Sequence, residues 1–190
     1  MSSVRQFRNA MFALAALSTM SSAQAGLLSN TAVVTINATK VATLTVAITA
    51  GATQTLASLT DNTTNNFASP VAITTTWDVN PSAAAVVLVG YFTTPTQALA
   101  NGTDFITASQ VRGRMNASPT FNAFTGGVVT GGASTAGVAG GTLQLFSQAI
   151  TGLNKNSNRS DNLFLQIDLT AATATVGTYT GTLNLRAITQ

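Results

Sequence analysis

The 190-residue sequence contains no cysteine, no histidine and no glutamate, and charged residues make up only 7% of it. Without cysteine it cannot form disulfides, thiolate zinc sites or a cysteine nucleophile. Without histidine it lacks the Ser-His-Asp triad, imidazole metal ligands and the usual proton shuttle. The five aspartates are scattered, so an enzymatic alternative would need two of them to converge in one cleft. We therefore predict no enzymatic activity, no metal and no cofactor.

The first 25 residues have the pattern of a secretory signal peptide. Two arginines precede an apolar run at residues 10–17, and small residues end in the A-Q-A of residues 23–25. Cleavage there leaves about 165 residues, which we expect to form a single β-sandwich domain over residues 26–190. The apolar run is too short to span a membrane. The expected destination is the bacterial cell surface, the periplasm or the medium, with no integral membrane span after cleavage.

Loss of the signal peptide also changes the charge. Six basic residues then face five aspartates, so the net charge is +1 (6 − 5). The sequence shows no dense basic patch, and a nucleic-acid partner is not expected. The abundance of Thr, Ala, Asn, Val and Gly is typical of extracellular structural or adhesive proteins.

Alternating apolar and polar residues predict an all-β fold. The pattern is clearest at residues 31–49, 71–79, 163–169 and 178–187, and all four prolines fall between such runs or at their beginnings. About seven to nine strands are expected, arranged as an antiparallel Ig-like or pilin-like β-sandwich. Trp77 shares the apolar parity of its run and is predicted to anchor the core.

Three local arrangements follow from the turn signals. The Asn-Pro-Ser turn at residues 80–82 predicts a hairpin between the runs on either side of it. The runs at 163–169 and 178–187 are expected to pair as a closing hairpin. The glycine-rich stretch 126–141 is predicted to be a flexible loop.

The segment from Gly26 to Lys40 lies at the end that signal cleavage frees. It carries Val34, Ile36 and Ala38 on alternate positions. Such a segment can pair within its own domain, or it can extend into a neighbouring copy and complete that copy's sheet by strand addition. We keep both alternatives, and treat these three residues as a candidate strand-exchange interface.

A second candidate site is the polar loop that contains Asp61, Asn62, Asn65 and Asn66. With the loop at residues 154–162, it could bind an extracellular glycan. That function would require exposed aromatic side chains on which a sugar ring can stack, and the candidates are Trp77, Tyr91 and Phe92.

The C-terminal sequence G-T-Y-T-G-T-L-N-L-R-A, residues 177–187, follows the strand-like run 163–169. This ending resembles the closing strands of secreted bacterial β-sandwich proteins, including spore-coat-U-like pilin subunits. The resemblance implies export, assembly into a surface fibre and no catalytic residues. Spore-coat-U-like domains commonly carry a disulfide, which this chain cannot form.

The sequence thus predicts a secreted, non-enzymatic structural protein of the cell surface or extracellular matrix. Self-association as a fibre-like subunit through the N-terminal strand is one of the two alternatives for that strand, and pairing within its own domain is the other. A carbohydrate-binding or adhesive module is the alternative.

Overall fold

The computed structural model describes residues 30–116 and 118–190. Of these residues 46% lie in strands and 2% in helix. Within this part of the chain, no helix has the length and apolarity needed to cross a membrane. The strands of the described residues are β1 (Thr43–Ala50), β2 (Thr64–Asn66), β3 (Val71–Asp78), β4 (Ala85–Tyr91), β5 (Leu99–Asn101), β6 (Asp104–Ile106), β7 (Val111–Met115), β8 (Asn122–Ala123), β9 (Val129–Gly131), β10 (Ser134–Ala136), β11 (Thr142–Ala149), β12 (Asn156–Asp168) and β13 (Asn184–Thr189). A short 3-10 helix covers Pro95–Gln97.

The strands form two main sheets. The first has the order β1-β3-β12-β7-β8, and β2 pairs with one end of β12. The second has the order β11-β4-β13, and the pairs β5-β6 and β9-β10 form separate two-stranded sheets. All pairings are antiparallel. The predicted all-β, antiparallel, sandwich-like fold is confirmed, and the thirteen strands of the described residues exceed the seven to nine expected.

Both predicted hairpins are wrong, for the same reason. β3 and β12 lie in the first sheet, whereas β4 and β13, which follow them in the chain, lie in the second. Residues 79–84 and 169–183 therefore cross from one sheet to the other. The alternation at 71–79 and 163–169 matches β3 and the end of β12, whereas the run predicted at 178–187 is strand only from Asn184 onward. Alternation fixes which face is buried and leaves the identity of the neighbouring strand open.

β4 is apolar along almost its whole length because both of its faces are covered. Val86 and Leu88 point into the core between the sheets. Val87 and Val89 point outward, into a second cluster with Ala136 and Ile188. A strand buried on both faces loses the alternation of a half-exposed strand.

The outer cover comes from the glycine-rich stretch, which forms the β9-β10 hairpin where a flexible loop was expected. Gly131 allows this close packing. A Cβ atom built on Gly131 would lie 1.8 Å from the Thr189 carbonyl oxygen, closer than any side chain permits. Gly132, with a φ of 57°, makes the turn between the two strands. The glycines thus serve packing as well as turning.

The N-terminal part of the chain departs from the predicted long strand. Strand structure begins at Thr43, and residues 30–42 have no regular secondary structure. Residues 40–190 form one compact unit, and residues before 40 belong to a separate one. The predicted signal peptide, residues 1–25, lies outside the described residues.

Phe124 lies at the centre of the core and is fully buried. Its ring packs between Gly90 of β4 and Gly113 of β7, one glycine from each sheet. Cβ atoms built on these glycines would lie 3.1 and 3.3 Å from the ring. Phe92 packs edge-on against the same ring, with the centroids 5.2 Å apart. The aromatic ring therefore fills space that the two glycines leave open between the sheets.

We expect Phe124→Ala to lower the free energy of unfolding by about 3–5 kcal/mol, because it leaves a cavity that the rigid sheets cannot close. Phe105→Ala is the matched control, since Phe105 is 40% exposed, and its cost should stay below about 1 kcal/mol. Urea unfolding of both variants measures the difference. Equal losses would show that Phe124 has no special place in the core.

Asp168 links the end of β12 to β7. Its Oδ2 lies 2.7 Å from Arg112 Nη2. Its Oδ1 accepts hydrogen bonds from the Thr170 hydroxyl at 2.7 Å and the Thr170 amide at 3.0 Å. The bonds from Thr170, and then the charge of Arg112, hold the pKa of Asp168 below its usual value of 3.8, although partial burial acts in the opposite direction.

We expect Asp168→Asn to destabilise the protein at neutral pH and to lose this effect in acid. Because the folded pKa is the lower one, the ionised carboxylate stabilises the fold above its unfolded pKa of about 3.9, and the contribution disappears as pH falls through the folded value. Urea unfolding of both proteins at about pH 7, 5 and 3 should show converging free energies. A constant difference across this range would contradict an electrostatic role.

Candidate functional site

The sandwich is open along one side, where an edge strand of one sheet lies near an edge strand of the other. β1 is an edge strand of the first sheet and β13 of the second, and residues of the two strands lie near each other. An inner cavity of about 250 Å³ lies between the sheets here. Its apolar walls come from both sheets and from the segments beside them, and include Ile48, Val71, Phe92, Val111, Leu163, Leu165, Leu183 and Leu185.

A larger trench of about 780 Å³ continues from the inner cavity. Its two walls are the segments 52–61 and 174–181, and its lining includes the apolar side chains of Phe67, Leu99 and Ile167. The trench and the inner cavity share wall residues, among them Gln54. We call the two together the seam groove.

Asn65 holds one wall of the trench in place. Its buried side chain accepts a hydrogen bond from the Thr60 amide at 2.7 Å and donates to the Thr60 carbonyl at 3.0 Å. A further bond at 3.4 Å reaches the Thr63 carbonyl. The Asn65 side chain thereby supplies hydrogen-bond partners for backbone groups of this loop. Asn65 therefore stabilises the conformation of the loop.

The opposite wall is attached to the body by polar contacts. Asp61 Oδ1 accepts a hydrogen bond from the Ala174 amide at 2.8 Å. The Thr175 hydroxyl donates to Asp104 Oδ2 at 2.8 Å and contacts the Tyr179 hydroxyl at 2.9 Å. Thr180 exchanges two backbone bonds with Ala100. These contacts fix the trench wall although it contains no regular strand.

The backbone of residues 52–59 is open for pairing. Within the described part of the chain, no hydrogen bond is recorded for a backbone N–H or C=O group of this segment. The segment runs along the trench, and several of its residues, such as Ala52 and Thr53, are exposed. Backbone groups of this kind are what an added strand uses to bind a sheet or a groove wall.

The seam groove is almost neutral. Among its described lining residues Asp61 carries the only charge, and it lies in the trench. The inner cavity is lined mainly by apolar side chains. A ligand suited to this groove has an apolar part for the inner cavity and a neutral or cationic polar part for the trench.

The four residues of the polar loop predicted as a ligand site lie in different environments. Asp61 lines the trench, whereas Asn65 is buried and bonded to its own loop. Asn66 is exposed and pairs through β2 with Gln166. Asn62 is exposed in a turn with a φ of 55°. Of the four residues, Asp61 alone lines the groove.

Two of the three aromatic residues considered for sugar stacking are buried. Trp77 is 3% exposed and donates from Nε1 to the Asn154 carbonyl at 2.8 Å, which confirms its predicted core position. Phe92 is 4% exposed, and Tyr91 is half-buried. A glycan site of the kind considered from the sequence would have to depend on Tyr91.

The residues predicted for strand exchange are exposed. Val34 and Ile36 have 80% and 86% of their surface accessible, and Ala38 is exposed as well. Large apolar side chains this accessible are unusual in a folded domain, and three within four positions (Val33 is 85% exposed) form an apolar stretch. The candidate interface thus presents its apolar side chains to solvent.

The five aspartates contact different partners. Asp78, Asp161 and Asp168 form ion pairs with Lys40, Arg159 and Arg112, respectively. Among the described residues, no recorded hydrogen bond joins two carboxylates, and no group of three acidic residues could hold a metal ion.

Comparison of the chain with protein-family models, curated proteins and solved structures returned no match.

Sequence reasoning did not find the groove walls. The segments 52–61 and 174–181 line the trench, whereas the sequence predicts a polar loop at the first and, at the second, a connection followed by a strand from residue 178. The isolated apolar residues Leu56 and Leu59 were a weak signal, because they lie in a polar stretch and pack on the core. Placing them beside a groove required the positions of both sheets.

We expect Asn65→Ala to lower the free energy of unfolding by about 1–3 kcal/mol, because it leaves the backbone groups of Thr60 without partners. Asn66→Ala, at the exposed neighbouring position, is the control and should change it by less than about 0.5 kcal/mol. Urea unfolding gives both values. If the two variants behave alike, the Asn65 side chain does not hold the loop.

Proposed function

We propose that the protein is an exported, non-enzymatic structural subunit of the bacterial cell surface or extracellular matrix. It self-associates when the N-terminal segment of one copy, residues 26–40, enters the seam groove of another. The observation that carries this proposal is that one chain contains both an exposed apolar segment and an open groove, in which the backbone of residues 52–59 forms no hydrogen bond with the described residues.

The two surfaces are chemically matched. Val34 and Ile36 alternate with polar residues, so an extended segment presents them on one face. The inner cavity offers apolar walls to that face, and the open backbone of residues 52–59 offers hydrogen-bond partners along the segment. Burial of each large apolar side chain contributes about 1.5–3 kcal/mol, and each net backbone hydrogen bond about 0.5–1.5 kcal/mol. Together these terms offset the cost of association, about 4–15 kcal/mol.

The low charge of the chain favours the same function. A net charge of +1 after signal cleavage provides little electrostatic repulsion between copies. Because each copy carries both a segment and a groove, the contact joins unlike surfaces, and such contacts generate chains or rings of subunits. A surface fibre or matrix is the expected product.

The first test compares residues 26–190 with a version that lacks residues 26–38. The longer protein should form multimers in light scattering, and the truncated one should remain a folded monomer, because the body from Lys40 onward contains all the described strands. A monodisperse monomer from the longer protein, with the truncated one unfolded, would place the segment inside its own sheet and contradict the proposal.

A pair of substitutions tests the alternation. Ile36→Asp should abolish the multimers, because a carboxylate cannot enter an apolar cavity without a large desolvation cost. Thr35→Asp introduces the same charge at the neighbouring position of opposite parity and should leave most of the assembly intact. Equal loss in both variants would show that general charge, and not insertion of one face, controls association.

A further inference from the structure

The exposed segment and the groove each contain one charged side chain. Between residues 30 and 50 this side chain is that of Lys40, and among the described lining residues of the seam groove it is that of Asp61. The two charges are opposite. This complementarity rests on the proposed function, because it matters only when the segment of one copy enters the groove of another.

Lys40 lies on the same face of the extended segment as the apolar residues. Residues 34, 36, 38 and 40 share one parity, so an extended segment would direct all four toward the groove. Lys40 is then about 13 Å from Ile36, at about 3.3 Å per residue. The groove has a matching gradient, from the polar trench with Asp61 to the apolar inner cavity.

We infer that Asp61 binds Lys40 of the incoming copy and thereby sets the direction and register of insertion. With Lys40 at Asp61, Ile36 and Val34 extend toward the inner cavity. Reversed insertion would bring the ammonium group to the apolar walls, where it would lose water without gaining a partner. A shift by one residue would direct Thr35 and Asn37 inward in place of Val34 and Ile36.

Both charged groups are available for this contact. Asp61 uses Oδ1 for the Ala174 amide, and no hydrogen bond to its Oδ2 is recorded among the described residues. Lys40 pairs with Asp78 of its own body at 2.5 Å, where the Lys40 side chain is 71% exposed and the Asp78 side chain 22%. A pair with one partner this accessible to water contributes little stability, and Asp78 also accepts a hydrogen bond from Asn156 at 3.2 Å. Lys40 can therefore exchange Asp78 for Asp61 when two copies meet.

The test is a charge exchange, with the association constant measured by sedimentation at low salt. Lys40→Glu and Asp61→Lys should each weaken association at least tenfold, because each places like charges together. The double variant restores opposite charges and should recover most of the affinity. Asp61→Asn keeps an oxygen for the Ala174 amide and removes only the charge, and we expect about two- to fivefold weakening.

A matched control separates this contact from general charge effects. Lys155→Glu makes the same charge change at the only other lysine, which does not line the groove. This control should associate like the parent protein. Circular dichroism of every variant checks that it is folded, and the Asp61→Asn comparison remains valid if Asp61→Lys is not.

The outcomes distinguish the two proposals. If the parent protein associates through residues 26–38 but neither single reversal weakens it, or the double variant shows no recovery, the Lys40–Asp61 pairing is wrong and the proposed function stands. If the parent protein does not associate at all, both are wrong. Raising the salt concentration to about 0.5 M should remove the difference between parent and Asp61→Asn, because the charge contribution is then screened.

Discussion

The Phe124 ring lies between two glycines that belong to opposite sheets, and the spacing of the sandwich depends on this contact. Gly90 and Gly113 have no side chains that could meet in the middle of the core. One aromatic ring fills the space instead, and Phe92 packs against this ring in a T-shaped pair. Since protein interiors are close-packed, the distance between the sheets cannot change without loss of these contacts.

The opening of the seam groove follows from how the chain crosses between these sheets. The connections 79–84 and 169–183 place consecutive strands in opposite sheets. The second connection runs back along the side of the sandwich without regular strand structure. Its backbone pairs at one position, where Thr180 bonds to Ala100. With loops where a further strand could lie, the side remains open between β1 and β13. The groove therefore results from the chain path, while the rigid core holds its two sides apart.

The chain has few charged residues, and their ionic contacts lie at different places in the fold. The Arg112–Asp168 pair ties neighbouring strands together, and Arg159 Nε bonds both oxygens of the buried Asp161. Arg114 packs against the rings of Phe121 and Phe164, so its charge is used within the body as well. Asp61 differs, because it borders the groove. This position suits the register-setting role proposed for Asp61.

The all-β class, the inward faces of the strands and the core position of Trp77 could be predicted from the sequence. These properties depend on the period of side-chain polarity, which is local. The sequence also identified the alternating segment around Val34 and Ile36. It did not determine the sheet partners, because β12 and β13 have inward faces that suit either a hairpin or opposite sheets.

The strand partners, the cover over β4 and the site depend on contacts between distant parts of the chain. The glycine-rich stretch has too little side-chain pattern to predict a hairpin, and its packing depends on Thr189, which is distant in sequence. The groove joins segments 52–61 and 174–181, which are more than a hundred residues apart in the chain. Pairing between distant strands brings them together, and the local pattern of polar and apolar residues does not predict that pairing.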